Sequence, residues 1–182
     1  MAERGLSHPK RYITTHNAEG QAILDESIPA EAPFYTLPKG IAAFAQCYVT
    51  GAFPTKLEND EDLGVYREYL ASPPGLTVSS GTVLRYVDMP PDTLSPMHRT
   101  VSLDYGVVLE GDIELVLDSG ETKLLHRGDI CVQRGTMHAW RNTSKTNWAR
   151  MLYVLQPADK FTIGGKEAKE DYGEMPGVRS SS

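Results

Sequence analysis

VSLDYGVVLEGDIELVLDSGETKLLHRGDICVQ, residues 101–133, is the stretch that decides the fold class. Glycine and aspartate signals divide it into four short strand patterns, at 101–111, 112–118, 121–128 and 129–133. In the second pattern Ile113, Leu115 and Leu117 recur at every other position, which is the period of a strand with one buried face. Asp118-Ser119-Gly120 follows and is typical of a tight hairpin turn. The stretch therefore predicts consecutive antiparallel strands.

Three more strand patterns flank this stretch at similar spacing. They are TVLRYVDM (82–89), HAWRN (138–142) and WARMLYVLQ (148–156). Seven short strands separated by turn signals favour an antiparallel sandwich or barrel, because βαβ units would place a helical pattern between strands. The predicted fold class is all-β.

The remaining sequence predicts an arm, one helix and a tail. Residues 1–40 hold short strand-like pieces between prolines and are interpreted as an N-terminal arm. NDEDLGVYREYLAS (59–72) has an N-cap candidate, acidic first-turn residues and helical apolar spacing, and it stops before a Pro-Pro pair. Residues 158–182 are polar and glycine-rich, which predicts a flexible C-terminal tail. The barrel region is thus 41–157, with one short helix near 60–71.

Composition and charge exclude several classes of function. The chain has 182 residues, 40% of them hydrophobic, which is the size of one ordinary globular domain. A net charge of −6 without a basic cluster argues against nucleic acid and against anionic membranes as partners. No apolar run is long enough to cross a bilayer.

Motifs that are missing from the sequence limit the cofactors we expect and the cellular compartment we predict. Cys47 and Cys131 belong to no disulfide framework and no metal-binding spacing, so both are interpreted as reduced thiols. The N-terminus carries no apolar signal region, and a cytoplasmic protein is expected. Without a G-x-G-x-x-G fingerprint, a P-loop or a G-x-S-x-G elbow, we expect no nucleotide cofactor and no serine nucleophile.

Two histidine-bearing segments carry a family resemblance. SPMHRTVSLDYGVVLEG (95–111) and GDICVQRGTMHAWRN (128–142) together resemble the two motifs of the cupin superfamily, G-x5-H-x-H-x3,4-E-x6-G and G-x5-P-x-G-x2-H-x3-N. His98 and Asp104 fall on the histidine and glutamate positions of the first motif, and His138 and Asn142 on the second. The resemblance implies a single cupin barrel, a double-stranded β-helix or jelly roll.

The departures from these motifs bear on a metal site. Thr100 stands where the family has its second histidine, and Asp104 replaces the glutamate with a side chain one methylene shorter. The resemblance then leaves His98, Asp104 and His138 as ligands for a divalent metal, Fe(II) or Mn(II). Two histidines and one carboxylate are a known ligand set for non-haem iron, but they are also what remains when a metal site is lost.

Each of these residues also has a structural interpretation. His98 and His138, pointing into the barrel, are metal ligands, an acid–base pair or hydrogen-bonded core histidines. Asp104 is a ligand or base, or a carboxylate that caps a turn or pairs with a nearby arginine. It shares a strand face with Gly106 and Val108, as expected for the lining of a cavity.

Three further residues are predicted to bind substrate. Arg85 lies in the middle of a strand and either extends to the barrel surface or reaches inward to hold a carboxylate or enolate oxygen. Trp140 alternates with His138 and Asn142, so the three share a face. Trp140 either stacks on a substrate or fills the core, and Asn142 is assigned to substrate binding by its position in the motif.

The narrower resemblance is to small stand-alone cupins of fungal secondary-metabolite clusters. It implies a cupin-domain oxidoreductase that tailors a polyketide-type small molecule, with His98, Asp104 and His138 as catalytic residues. A metal-independent dehydratase, decarboxylase or isomerase is the second hypothesis, and a non-catalytic ligand-binding cupin is the third. A homodimer is expected by analogy with the family.

Overall fold

Two antiparallel sheets form the body of the fold in the computed structural model, which describes residues 4–181. The strands are β1 (Thr14–His16), β2 (Ala22–Leu24), β3 (Phe34–Thr36), β4 (Ala43–Val49), β5 (Val83–Met89), β6 (Ser102–Glu110), β7 (Ile113–Leu117), β8 (Thr122–Leu125), β9 (Ile130–Arg134), β10 (His138–Asn142), β11 (Ala149–Pro157), β12 (Thr162–Ile163) and β13 (Lys166–Glu167). The larger sheet has the order β3-β4-β5-β11-β6-β9 and the smaller one β10-β7-β8. One core joins them, with Val83 and Met151 from the larger sheet against Ile113 and Trp140 from the smaller.

The strands expected from the sequence are present as β5 to β11, so the all-β prediction is confirmed. The bounds of β10 coincide with those of HAWRN. The largest difference between a predicted and an observed strand is at β8, where the pattern runs to residue 128 and the strand ends at Leu125. The hairpin between β7 and β8 is closed by Gly120, whose φ of +89° is favourable only for glycine. The amide of Gly120 donates to the carbonyl of Leu117 at 3.0 Å, as a tight turn requires.

β4 is a strand that the sequence pattern did not predict. It lies inside the larger sheet between β3 and β5 and is buried on both faces. Phe44 packs towards the cavity side with Leu37 and Leu76, whereas Ala45 and Cys47 pack on the other side. A strand buried on both faces lacks the apolar–polar alternation by which half-buried strands are recognised.

The predicted helix is present as α1 (Glu61–Ala71), and it packs its Leu63 and Tyr66 against the core. The Tyr66 hydroxyl donates to the carbonyl of Gln46 on β4 at 2.8 Å and so fixes the helix to the sheet. The N-cap residue of α1 is Asp60, and its side chain forms no capping hydrogen bond. No helix of the described residues combines the length and apolar character needed to span a membrane.

The two ends of the chain both contact the sheets. β1 and β2 form a hairpin in the predicted arm, and Ile28 from the same segment is buried in the core. In the predicted tail, Met175 is buried beside Leu37, and the backbones of Arg99 and Asp171 pair as an isolated bridge. The division into arm, barrel and tail stays a prediction, and its residues 1–3 and 182 lie outside the described residues.

A buried ion pair lies on the outer face of the larger sheet. Arg150 on β11 donates from Nε to Oδ1 of Asp88 at 2.6 Å and from Nη2 to Oδ2 at 2.8 Å. Asp88, on the neighbouring β5, is completely buried. Nη1 of Arg150 donates to the carbonyl of Ser7 at 2.7 Å, and Arg4 lies 3.4 Å from Asp88. This pair therefore connects the sheet to the N-terminal segment.

Candidate functional site

A largely apolar cavity lies between the two sheets. Phe44 and Val87 of the larger sheet and Trp140 of the smaller one contribute its walls. Leu37 and Met175, from segments outside the two main sheets, complete the wall. Polar groups of the lining come from Arg85, Ser95, His98, Thr100, Asp104 and His138, and from the aromatic residues Trp140 and Tyr153. An apolar enclosure with a few convergent polar groups is typical of a small-molecule site.

His98 and His138 are brought together by their own backbones. The N–H of each residue donates to the carbonyl of the other, at 2.8 and 2.9 Å, so that the two ring centroids lie 4.3 Å apart. Nδ1 of His98 lies 2.8 Å from the carbonyl oxygen of Pro96, and Nδ1 of His138 lies 2.9 Å from that of Thr136. Because a carbonyl only accepts, each Nδ1 carries the hydrogen and each Nε2 keeps its lone pair.

Burial keeps both imidazoles neutral. His98 is 8% exposed and His138 is 4% exposed. Desolvation lowers the pKa of His98, and desolvation together with the neighbouring His98 lowers the pKa of His138 to about 3. At neutral pH the pair therefore presents two hydrogen-bond acceptors and no charge.

This lowered pKa predicts a pH effect on stability. The unfolded chain binds a proton at His138 near the ordinary pKa of 6.5 and the folded protein only near 3, so stability falls as the pH falls between these values. At about pH 5 the loss due to this residue is about 2 kcal/mol. We expect a correspondingly smaller loss in the His138→Gln variant, measured by urea unfolding at neutral and acidic pH. Equal losses in both proteins would contradict the lowered pKa.

Asp104 also lines the cavity, as the alternation along β6 predicted. Thr100 Oγ1 donates to Asp104 Oδ2 at 3.2 Å, and Ser102 Oγ donates to Thr100 Oγ1 at 2.6 Å. Asp104 Oδ1 is buried and has no hydrogen-bond partner in the described part of the chain. Desolvation raises the pKa of this carboxyl group to about 6, against the lowering effect of its hydroxyl neighbours. Asp104 is therefore poised to change protonation near neutral pH.

The donor set does not fit a three-ligand metal centre. Both histidines are oriented as metal ligands usually are, with Nδ1–H on a backbone carbonyl and Nε2 free. Within residues 4–181, however, no three His, Cys, Asp or Glu side chains come together as a metal-binding group. Thr100, which stands where the family motif has a histidine, donates a hydrogen bond to the short Asp104 side chain. The three ligands expected from the sequence are thus not assembled, and two imidazoles remain.

Arg85 reaches inward from β5, which decides between its two sequence interpretations. It is 2% exposed, lies over the Phe44 ring at 5.2 Å and lines the cavity. Nη2 donates to the carbonyl of Gly75 at 2.8 Å and to Gln46 Oε1 at 3.3 Å, whereas Nε is buried without a partner in the described residues. Desolvation lowers the pKa of the guanidinium, which nevertheless stays protonated at neutral pH.

Trp140 and Asn142 share the buried face of β10 but differ in role. Trp140 lies in the cavity wall, edge-on to His138 at 5.7 Å and to Tyr153 at 5.9 Å. Asn142 is not among the residues of that wall, so the structure does not bring it to the predicted substrate site. Its side-chain amide nitrogen instead donates to the carbonyls of Met89, Pro90 and Asn147. These bonds connect the end of β10 to the end of β5 and to the adjacent loops.

Replacing Asn142 by alanine is expected to destabilise the protein by about 2 kcal/mol, because buried carbonyls then lose their donor. Binding to the cavity should be unchanged. Chemical unfolding measures the loss, with alanine at the exposed Asn147 as the control. If the variant kept wild-type stability but bound cavity ligands more weakly, Asn142 would take part in substrate binding, as the sequence predicted.

Comparison with known proteins places the motifs in a family. Residues 85–168 match the sequence profile described as Cupin domain. Over 161 residues the chain is 47% identical to phomopsin biosynthesis cluster protein C′ of Diaporthe leptostromiformis, covering 88% of this chain and 85% of that protein. The chain belongs to the cupin family. A cupin-domain-containing oxidoreductase of Neurospora crassa is 38% identical over 171 residues, covering 94% of this cupin and 85% of that protein.

A solved cupin structure supports the fold. The cupin domain of Schizosaccharomyces pombe Cnp3 is 13% identical and has a TM-score of 0.50, covering 83% of this cupin and 88% of that chain. The expected single cupin barrel is therefore confirmed as the fold class.

Sequence reasoning missed several residues of this cupin's cavity. Leu37 and Leu76 lie in segments without strand periodicity, and Met175 lies in the predicted tail. Gln46 and Gly75 position Arg85, but the first is on the unpredicted β4 and the second acts through its backbone carbonyl. Nothing in the sequence pattern signals such contacts, because they arise from segments that meet only in the folded chain.

Proposed function

We propose that this cupin is a small-molecule tailoring enzyme of secondary-metabolite biosynthesis whose chemistry depends on His98 and His138. The observation that carries the proposal is the pair of neutral imidazoles, each with a free Nε2, inside an apolar cavity. Relatives support the pathway class, since their names refer to phomopsin biosynthesis and to cupin-domain oxidoreductases.

The chemistry of the pair is proton transfer. Nε2 of either histidine accepts a hydrogen bond from a substrate O–H group, or takes a proton from a carbon made acidic by a neighbouring carbonyl. The Nδ1–H bonds to Pro96 and Thr136 hold the ring orientation throughout. Because the rings are adjacent, only one of them carries the extra proton at a time.

Two reaction classes begin with this proton removal. In an oxidoreductase the resulting enolate carbon forms a C–O bond with dioxygen as co-substrate, and the proton held by the imidazolium completes a hydroperoxide. Elimination of hydrogen peroxide from this product leaves the substrate with two hydrogens fewer. In a dehydratase or isomerase the enolate expels water or is reprotonated elsewhere, and no oxidant is needed. In a decarboxylase the enolate forms instead by loss of carbon dioxide and then takes up a proton. The names of the relatives favour the oxidoreductase, whereas a site made of two imidazoles suffices for the lyase or isomerase.

The test is a mass comparison with purified protein. An extract of the producing organism lacking this gene is incubated with wild type or with the His98→Gln, His138→Gln double variant. We expect one metabolite to be consumed by the wild type alone. Loss of two hydrogens or gain of oxygen indicates an oxidoreductase, loss of water or carbon dioxide a lyase, and an unchanged mass an isomerase. A metabolite that is bound but never converted would contradict enzymatic function and leave a ligand-binding cupin.

Metal content checks the ligand set separately. With two imidazoles as ligands we expect well below one iron or manganese ion per chain after purification without chelator or metal-affinity resin. Elemental mass spectrometry of wild type and His138→Ala measures it. Nearly stoichiometric metal that is absent from the variant would contradict this prediction and support the Fe(II) or Mn(II) centre implied by the family motif.

Four expectations from the sequence stay predictions. They are a polyketide-type substrate, a homodimer, a cytoplasmic location and the absence of nucleic-acid and membrane partners. The dimer is checked by the mass of the purified protein in solution, measured by light scattering.

A further inference from the structure

Two buried arginines of this cupin differ in how their charges are compensated. Arg150 makes two hydrogen bonds to the carboxylate of Asp88. Within residues 4–181, Arg85 has only neutral acceptors, the carbonyl of Gly75 and the side-chain oxygen of Gln46, and both bonds come from Nη2. Nε of Arg85 has no partner in the described residues, although it is buried. The guanidinium of Arg85 therefore keeps unused donors at the cavity wall.

The carboxylate whose charge acts on Arg85 does not pair with it. Asp104 interacts with Arg85 electrostatically, but the two form no ion pair within 4.0 Å among the described residues. Asp104 instead accepts from Thr100, and its second oxygen is unpartnered. A buried charge without a hydrogen-bonded counter-ion is unfavourable in a folded protein, so a ligand that supplies the opposite charge at this position is stabilised by it.

We propose that the ligand of this cavity carries a carboxylate, which pairs with Arg85, on an apolar or aromatic body that packs against Phe44 and Trp140. The inference rests on the proposed function, because it names the substrate class of the same site. A planar guanidinium with free donors matches a carboxylate. Among the described residues of the lining, the other polar groups that can bind the rest of the molecule are the two histidines, Asp104, three hydroxyl groups (Ser95, Thr100 and Tyr153) and the Trp140 indole N–H.

Matched acid–amide pairs test the charge requirement. Benzoate with benzamide, and 2-naphthoate with 2-naphthamide, have the same apolar body and differ in the anionic group. We expect at least one acid to bind wild type about tenfold or more tightly than its amide, measured by isothermal titration calorimetry. Equal affinities within both pairs, or no binding by either acid, would overturn the proposal.

Substitutions at Arg85 locate the anion. Arg85→Met retains the apolar stem and removes the charge, and we expect it to abolish the preference for the acid, with a much smaller loss of affinity for the amide than for the acid. Arg85→Lys keeps the charge without the planar fork and should keep part of the preference. Arg134→Met, at an exposed arginine at the end of β9, is the matched control and should bind as wild type does. An acid preference that survives in Arg85→Met would place the anion elsewhere and overturn the assignment.

The double variant His98→Gln, His138→Gln separates this inference from the proposed function. If both are correct, the variant loses turnover but keeps the preference for the acid over the amide. If wild type prefers the acid and converts no metabolite, the carboxylate site stands and enzymatic function fails. If wild type converts a metabolite but does not prefer the acid, the function stands and the assignment of Arg85 fails.

Discussion

Replacing His138 with glutamine is expected to lower kcat about 100-fold or more, with little change in melting temperature at neutral pH. Glutamine fills similar space and can hydrogen-bond, but it cannot take up a proton. The backbone bridge to His98 does not depend on the side chain and should persist. Turnover of the metabolite identified by mass comparison gives kcat, and a thermal melt reports the fold.

The exposed His126 provides the control for this experiment. It pairs with Asp112 at the surface and is not part of the cavity lining, so His126→Gln should keep full turnover. His98→Gln should resemble His138→Gln, because the two rings share one environment. Full activity in both cavity variants would remove the histidines from the mechanism. Lost activity with a lost fold would instead make them structural residues, a result that the melt separates.

The fold was predictable wherever a strand has one buried face. β6 alternates between buried and more exposed residues, and Gly120 marks the turn after β7, so both the strand period and the turn residue were visible in the sequence. β4 was not predictable in this way, because it is buried on both faces and therefore shows no alternation. The sequence pattern also could not show that the segment around Met175 returns to the cavity, because that contact depends on the path of the whole chain.

The sequence predicted which residues lie at the site better than it predicted what their side chains bind. Motif spacing and strand alternation identified His98, His138 and Asp104 as cavity residues. The family resemblance implied a three-ligand group, but spacing along the sequence does not give the distance between side chains, and the described residues do not assemble such a group. For the same reason, Asn142 lies on the predicted face of β10 and yet binds loop carbonyls.

Replacing Arg150 with methionine is expected to destabilise the protein by about 3–5 kcal/mol, because it leaves the carboxylate of Asp88 buried without its main partner. The contact with Ser7 is lost as well, so the N-terminal segment should become more sensitive to protease. Chemical unfolding gives the free energy. Adding Asp88→Asn to Arg150→Met should recover part of the loss, since the uncompensated charge is then removed.

The same substitution at Arg85 should have a much smaller effect, because no carboxylate of the described chain is hydrogen-bonded to it. Lys145→Met, which breaks the exposed pair with Asp92, should cost less than about 1 kcal/mol and serves as the surface reference. Two buried arginines on neighbouring strands thus give opposite expectations from one rule, that a buried charge is stabilised by its counter-ion. A loss at Arg85 as large as that at Arg150 would mean that Arg85 serves the fold, and the counter-ion expected from the ligand would then have no role.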